Sequence, residues 1–326
     1  MTATGDWLAI VNPNSGLTRS RHNWGGIEAA LRAAQIPLEV VHTGQPHEGE
    51  SIARRAVQQG RRQLIAAGGD GSVNDVVNGV MDAGLADTRE VTLAVAPTGT
   101  GNDWARSLGI GRRPADVVSA ITAGRTMLHD VGIVDYPGSG QRRRWFINVA
   151  GAGYDAHMTA RLPRPIPSAL TYLRVAISGL VSYRAPRFRV DADGTRFDGP
   201  MLLVFAANAQ YCGNRMHVAP VARMDDGLLD VVMVRELGLL AVLPKLVKLY
   251  RGTILGDPAV RHVRAAKVRI EAEPQAGVQV DGQMAGSTPA EFSLLRQALR
   301  VVVRPGISPA GAVASSPSTY RARWSG

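Results

Sequence analysis

The sequence contains one cysteine, Cys212, in 326 residues. That excludes an intrachain disulfide framework and a cysteine-rich zinc site, and it suits a reducing compartment. Aromatic residues make up only 5% of the chain, few for the stacking platforms of single-strand nucleic-acid binders. No apolar run reaches the ~18 residues a membrane span requires. The first residues, Met1 to Asp6, lack the basic-then-apolar order of a secretory signal. A soluble, cytoplasmic protein is therefore expected. Three nucleotide signatures are also missing. There is no Gly-x-x-x-x-Gly-Lys-Ser/Thr loop, no Gly-x-Gly-x-x-Gly after the first strand, and no protein-kinase catalytic signature, which argues against P-loop, standard dinucleotide and protein-kinase folds.

What is present is ordinary globular composition, 45% hydrophobic and 20% charged, with an excess of base: 37 Lys and Arg against 27 Asp and Glu, a net charge of +10. Such charge suits nucleotide phosphate, an anionic lipid surface or nucleic acid, or simply a solvated arginine-rich face. With few aromatics and no recognisable binding module, nucleic acid ranks last.

Residues 1–131 alternate strand and helix signals. Trp7 to Val11, Leu38 to Val41, Gln63 to Ala67 and Val91 to Ala96 read as strands, with helical stretches around Ile27 to Ala34, Ile52 to Val57 and Val73 to Met81. This order predicts a parallel sheet covered on both faces, a Rossmann-like α/β domain. From 132 to 304 short β-rich runs dominate: Arg144 to Val149, Phe188 to Val190, Met201 to Asn208, Leu228 to Val234, Val268 to Ile270, Val278 to Val280 and Ala298 to Val303. They predict a β-sandwich, interrupted by helices at Ser168 to Ser182 and Leu237 to Tyr250. Residues 305–326 read as a loose tail.

Three polar, glycine-bearing turns end strands of the first domain: Asn12-Pro13-Asn14-Ser15-Gly16, Gly68-Gly69-Asp70-Gly71-Ser72 and Thr98-Gly99-Thr100-Gly101. In parallel sheets ligands bind beyond the carboxyl ends of the strands, so the three should converge on one crevice. Glycines let backbone approach a phosphate, and a helix N-terminus offers free N–H groups. Ser72 to Asp75 and Thr100 to Asp103 each have Ser/Thr-x-x-acid spacing, which predicts capping boxes and a helix start at Val73. Asp70, within a phosphate loop, suits a residue that orients Mg²⁺. A single such loop is equally well a tight strand-to-helix turn; three at one sheet edge are not.

Asn12 to Gly16, then Gly68-Gly69-Asp70-Gly71-Ser72-Val73-Asn74-Asp75-Val76-Val77-Asn78-Gly79, then Pro97 to Arg106 resemble, in order, spacing and identity, the diacylglycerol kinase catalytic-domain family of soluble bacterial lipid kinases and of sphingosine and ceramide kinases. Asn148 to Asp155 and Asp225-Asp226-Gly227-Leu228-Leu229-Asp230 are similar to later segments of that family. The resemblance implies an ATP- and Mg²⁺-dependent kinase that phosphorylates a hydroxyl of diacylglycerol or a similar lipid alcohol. ATP would lie across Asn12, Pro13, Asn14, Ser15, Gly16, Thr43, Gly68, Gly69, Asp70, Gly71, Ser72, Val73, Asn74 and Thr100. It also implies a structural Mg²⁺ held by the Asp226 side chain and the backbone carbonyls of Arg223 and Leu228.

One departure bears on catalysis. Where the family has Asp-Gly-Glu, with the Glu as the base, this chain reads Asp281-Gly282-Gln283. An amide takes up no proton near neutral pH. Asp281 is then the candidate base, with Gln283 and Asp70 completing the catalytic set, and Gln283→Glu is expected to raise turnover. Rival readings are an NAD kinase, which shares a Gly-Gly-Asp-Gly loop, and a nucleotide-binding regulator without turnover. Arg142-Arg143-Arg144-Trp145, Arg161, Arg164 and Arg174 could hold the protein reversibly on an anionic inner-membrane face. The stretch from Leu237, with Lys245 and Lys248, reads as an interfacial helix or, more plainly, a core helix. Homo-oligomerisation is left open.

Overall fold

The computed structural model describes residues 6–15, 20–163 and 169–306. The tail beyond 306, and Gly16, Arg164, Pro165 and Pro167, lie outside the described residues. In chain order the first half comprises β1 (Trp7–Val11), α1 (Ser20–Ala33), β2 (Leu38–His42), α2 (Glu48–Gln58), β3 (Gln63–Gly68), α3 (Asp70–Met81), β4 (Thr92–Pro97), α4 (Asp103–Ser107), α5 (Pro114–Thr122) and β5 (Thr126–Asp135). There follow β6 (Arg144–Phe146), β7 (Val149–Gly153), α6 (Tyr154–Arg161), α7 (Ala169–Ser182), β8 (Arg187–Ala192), β9 (Thr195–Ala207), β10 (Tyr211–Cys212), β11 (Met216–His217) and β12 (Leu229–Arg235). The chain continues through α8 (Leu239–Arg251), β13 (Val260–Ala265), β14 (Lys267–Glu273), β15 (Gly277–Val280), β16 (Gln283–Ser287) and β17 (Ala290–Val302).

The first four strands form a parallel sheet in the order β2-β1-β3-β4. β1 is buried throughout, and β3 and β4 are buried after their first residue. Continuous Val/Ile/Ala/Leu runs do this when helices cover both faces of a sheet. The later strands pair antiparallel and form the β-rich half. β9 serves both of its layers. Thr195–Pro200 pairs with β8, and Leu203–Ala207 pairs with β7 and β12. Gly199, at φ 146, sits where the strand passes from one layer to the other.

The expected junction at residue 131 falls inside β5. That strand runs antiparallel to β17, whose end pairs parallel with β4 at Arg300↔Thr92 and Val301↔Leu93. The last strand thus closes the first sheet. A register shift between Leu295 and Leu299, with Gln297 at φ 48, bends β17 for the task. Asp130 holds the bend by accepting the Gln297 N–H at 2.6 Å.

Candidate active site

The turn after β1 folds on itself before meeting anything else. The Asn12 side chain accepts the Asn14 N–H at 3.0 Å, and the Ser15 hydroxyl donates to the Asn12 carbonyl at 3.0 Å. The other face of Asn12 donates to Ser72 Oγ at 3.0 Å, and Ser15 Oγ lies 3.2 Å from Thr98 Oγ1. Those two contacts join the three strand-end turns. Gly69 and Gly99 make the closest backbone approach. A Cβ on Gly99 would overlap Gly69 Cα and lie 2.7 Å from Gly69 N. Only glycine at 99 lets the second and third turns touch. The three turns form one rim, as expected.

The capping expectation fails at both loops. α3 begins at Asp70, three residues before Val73, with Gly69 at its N-cap and no side-chain cap. Ser72 is already helical, so its hydroxyl is free to receive Asn12. At α4 the N-cap residue is Asn102, not Thr100, in the left-handed region at φ 55. Its side chain bonds back to Gly99, accepting at 3.1 Å and donating at 2.8 Å, and so shapes the loop. Thr100 is exposed, and its carbonyl accepts from Arg112. Val73 is buried in the core, so only its backbone can serve a ligand. Thr43, just past β2, is buried and donates its N–H to Val11 O. Pro13 is half-buried and Asn14 exposed on the same rim.

Two carboxylates face each other across Gly101. Asp70 Oδ2 and Asp103 Oδ2 lie 3.0 and 3.5 Å from the position a Cβ would take there. Asp70 accepts the Trp104 N–H at 3.0 Å. Asp103 accepts the N–H groups of Asn214 and Arg215, both at 2.8 Å, and so draws the β10–β11 turn onto the loop. Desolvation pushes both acids up. Asp103 reaches about 6, with the charge of Asp70 as the second cause. A half-buried acid facing a buried one is the sort of place where a cation is favourable. Asp103 was not singled out as a site residue from the sequence, because its Thr-x-x-acid spacing read as a cap.

Asp281 is placed differently from expectation. Its Oδ1 accepts the N–H groups of Asn148 at 3.0 Å and Val149 at 3.1 Å. Its Oδ2 accepts Ile147 N at 3.0 Å and Asn74 Nδ2 at 2.9 Å. Burial pushes its pKa to about 6 against those four donors. Both oxygens are fully engaged, so the carboxylate has no free position for a substrate proton. The base expected at Asp281 is therefore a brace that ties the β15–β16 turn to α3 and to the start of β7.

Gln283 is buried over the first turn of α3. Its amide donates to Gly71 O at 2.9 Å and to Asp75 Oδ1 at 3.2 Å. Asp75 also meets His47 Nδ1 at 3.0 Å. Neither Asp75 nor His47 was singled out as a site residue from the sequence. Asp75 read as the acid of a cap, and a lone histidine after Gln45-Pro46 carries no signal.

At the expected structural metal site the one side-chain donor is already engaged by the protein. Asp226, the one carboxylate of the set, pairs with Arg264 and accepts the Leu228 N–H at 3.1 Å. Arg223 turns its guanidinium to Asp225 at 3.3 Å. A guanidinium on the only anionic ligand opposes a divalent cation. Among the described residues no group of three His, Cys, Asp or Glu side chains is arranged to hold a metal. The Asp226 carboxylate, as placed, is taken by Arg264 rather than left open to an ion.

Within the basic patch expected to meet a membrane, the three consecutive arginines are ion-paired to acids of this chain. Arg142 bonds Glu50 at 2.7 Å and Asp82 at 2.6 Å, Arg144 bonds Glu50 at 2.9 Å, and Arg143 bonds Asp135 at 2.6 Å. Lys245 and Lys248 of α8 both reach the buried Asp257, at 3.2 and 2.8 Å. Among the described residues no helix is long and apolar enough to cross a membrane.

Comparison with known proteins matches both halves of the chain. The diacylglycerol kinase catalytic domain matches residues 6–134, and the YegS C-terminal NAD kinase beta sandwich-like domain matches 148–303. The chain belongs to the diacylglycerol kinase catalytic-domain family. It is an enzyme of the lipid kinase class. The diacylglycerol kinase of Bacillus subtilis (strain 168) is 28% identical over 300 residues, 90% of this chain and 95% of that one. A Chromohalobacter salexigens protein named "Probable lipid kinase YegS-like" is 28% identical over 283 residues, 85% and 86% of the two chains. A solved structure of a candidate diacylglycerol kinase from Bacillus anthracis str. Sterne superimposes with a TM-score of 0.74 at 26% identity, covering 93% of this chain and 98% of that one. The α/β half and the β-sandwich-like half are thus family features, as expected.

Proposed function

We propose that the chain transfers the γ-phosphate of ATP, with Mg²⁺, to a hydroxyl of diacylglycerol or a related lipid alcohol. The observation that carries this is the single rim made by Asn12–Ser15, Gly68–Asn74 and Thr98–Gly101, joined through Ser72, Thr98 and the Gly69–Gly99 approach. Its small residues and the start of α3 suit a polyphosphate. Asp70 and Asp103 would face the cation that accompanies the phosphates, and that ion would neutralise charge on the transferring group. In the transfer the bond from the γ-phosphorus to the ADP oxygen breaks. A bond to the lipid oxygen forms, and the hydroxyl proton leaves to solvent. With Asp281 engaged and Gln283 an amide, the reading assigns the rate gain to positioning and charge neutralisation, which loose phosphoryl transition states chiefly need. An anionic bilayer remains the surface where such an acceptor is met. Contact with it would rest on residues other than the ion-paired Arg142–Arg144 run.

The test is phosphate transfer from Mg²⁺-ATP to a panel of lipid alcohols in mixed micelles, with NAD as a parallel acceptor. Labelled product from one lipid, reduced about a hundredfold or more by Asp70→Asn, is the expected result. Product on NAD alone would make the chain an NAD kinase. ATP bound with no acceptor phosphorylated would mark a nucleotide-binding protein without turnover.

A further inference from the structure

With Gln283 an amide and both oxygens of Asp281 engaged, a side chain able to take the acceptor's proton lies elsewhere in the crevice or nowhere. Asp155, in the first turn of α6, has an oxygen to spare. The residue is only 8% exposed. Its Oδ2 accepts Gln279 Nε2 at 3.0 Å. Its Oδ1 is buried and has no hydrogen-bond partner among the described residues. Gly151 makes room for the group, since a Cβ there would lie 2.7 Å from Asp155 Oδ2 and 2.8 Å from Phe205 Cδ1. Leaving a buried carboxylate oxygen unpaired is costly, and such a group calls for a partner.

Tyr183, just after α7, supplies the complementary half. Its hydroxyl is also buried without a partner among the described residues. Burial, and then the charge of Asp155, push its phenol up, so it stays a proton donor. An unpaired acceptor and an unpaired donor, one in the field of the other, match an alcohol, which donates to the first and accepts from the second.

Two links tie Asp155 to the phosphate rim. Gln279, whose nitrogen holds Asp155, gives its oxygen to the Gly282 N–H at 2.8 Å, in the turn that lays Gln283 on α3. Cys212, in β10, is pushed up by burial and then by the charges of Asp103, Asp155, Asp70 and Asp281. Asp155 therefore borders the same space as the Asp70–Asp103 pair, from the β-rich side. Burial pushes Asp155 itself to about 6, against the Gln279 amide and the nearby N–H groups of Ala156 and Asp155. A carboxylate in that range both takes and releases a proton near neutral pH.

We propose that Asp155 is the base of this chain: its unpaired Oδ1 takes the hydroxyl proton of the lipid alcohol, while Tyr183 steadies the same hydroxyl. The inference rests on the kinase reading above. The O–H bond breaks toward Asp155 as the oxygen bonds the γ-phosphorus and the bond to ADP breaks. Asp155 then passes the proton to solvent.

The test is the pH dependence of kcat for transfer from Mg²⁺-ATP to a short-chain diacylglycerol in mixed micelles, in the wild type, Asp155→Asn and Gln279→Leu. The carboxylate is the active form, so wild-type kcat should rise with pH through about 6 and then level. Tyr183, Cys212 and, one turn on in α6, His157 are the titratable neighbours, and Asp103 and Asp281 titrate in the same range. Gln279→Leu assigns the rise. Without the amide donor Asp155 holds its proton more firmly, and the rise should move about one pH unit higher. Asp155→Asn should lose about a hundredfold or more in kcat, with KM for ATP little changed.

A folded Asp155→Asn with wild-type kcat overturns the inference and leaves the kinase reading intact. A slow Asp155→Asn that keeps the wild-type rise makes Asp155 a positioning residue and also overturns it. So does a rise that stays in place in folded Gln279→Leu. A wild-type profile that is flat between about pH 5 and 8 overturns it without any variant, even if Asp155→Asn fails to fold. No transfer by the wild type to any alcohol of the panel above removes the kinase reading itself.

Discussion

At position 283 an amide stands where the family resemblance expects a carboxylate, and its surroundings explain why. The Gln283 Nε2 group donates to one carbonyl, Gly71 O, and one carboxylate, Asp75 Oδ1. A glutamate there has no proton to give either acceptor. It would set two carboxylates about 3 Å apart, a spacing at which both cannot stay ionised at ordinary cost. Read from the sequence alone, Gln283→Glu restores a missing base and raises turnover. With its partners known, the expected outcome is the reverse. kcat/KM should fall roughly tenfold or more near pH 8 and recover in part toward pH 6, as one acid of the pair takes a proton. A kcat/KM profile of both proteins across that range decides it; a rise in the variant at high pH would reinstate position 283 as the place for a base. Burial already pushes the Asp75 carboxyl up, with His47 as the opposing influence, so the added charge acts on a group with little reserve.

Elements follow the same logic of contact. α2 and α3 pack so closely at Gly79 that a Cβ would overlap Glu50 O and lie 2.7 Å from Ala53 Cβ. Alanine at an ordinary helical glycine gains about 1 kcal/mol of propensity. Here the obstacle is backbone, and overpacking costs about 1–3 kcal/mol or more. Gly79→Ala should therefore lower stability by about 1 kcal/mol or more, read as a lower urea midpoint; a higher midpoint would show that the helices can move apart. This sort of contact is not visible in a sequence, and it divides what was legible from what was not. β1, β3 and β4 were readable because continuous apolar runs bounded by glycine and proline have few other meanings. The three rim turns were readable for the same reason. α4 and α6, of five and eight residues, are too short to show helical periodicity. β13 carries Arg261, His262 and Arg264 along a partly exposed run, and β16 is a short edge strand. The cap readings failed because Ser72 and Asp103 find partners 60 and 111 residues away, at Asn12 and Asn214. Asp281 looked like a base for a related reason: local spacing does not reveal that four donors from other elements already surround it.

Across the whole molecule, two devices join the Asp281, Gln283 and Asp103 contacts in holding the α/β half to the β-rich half. β17 threads from the antiparallel strands into the parallel sheet, and Glu50 gathers arginines from both sides. Arg54 lies 2.6 Å away on its own helix, while Arg142 and Arg144, at 2.7 and 2.9 Å, come from beyond β5. Burial raises the Glu50 pKa, but the guanidinium groups of Arg142 and Arg144 outweigh it and hold the carboxyl below its usual value. A carboxyl depressed in the folded state stabilises it above the unfolded value near 4.3 and loses that contribution as pH falls through the folded one. Glu50→Gln should thus be less stable than the wild type at pH 7 by about 1–3 kcal/mol. That lies below the 3–5 of a fully buried broken pair, because Arg142 is half-exposed. The gap should shrink as the pH falls below the unfolded value and through the depressed folded one, where the wild-type carboxylate takes up its proton. Urea unfolding of both proteins at pH 7 and at the lowest pH where each stays folded measures it. A gap unchanged with pH would assign the Glu50 contribution to packing and leave β17 as the principal tie between the halves. A gap that closes would show that the crevice, whose Asp75 also lies in the field of Arg144, is held in register by charge.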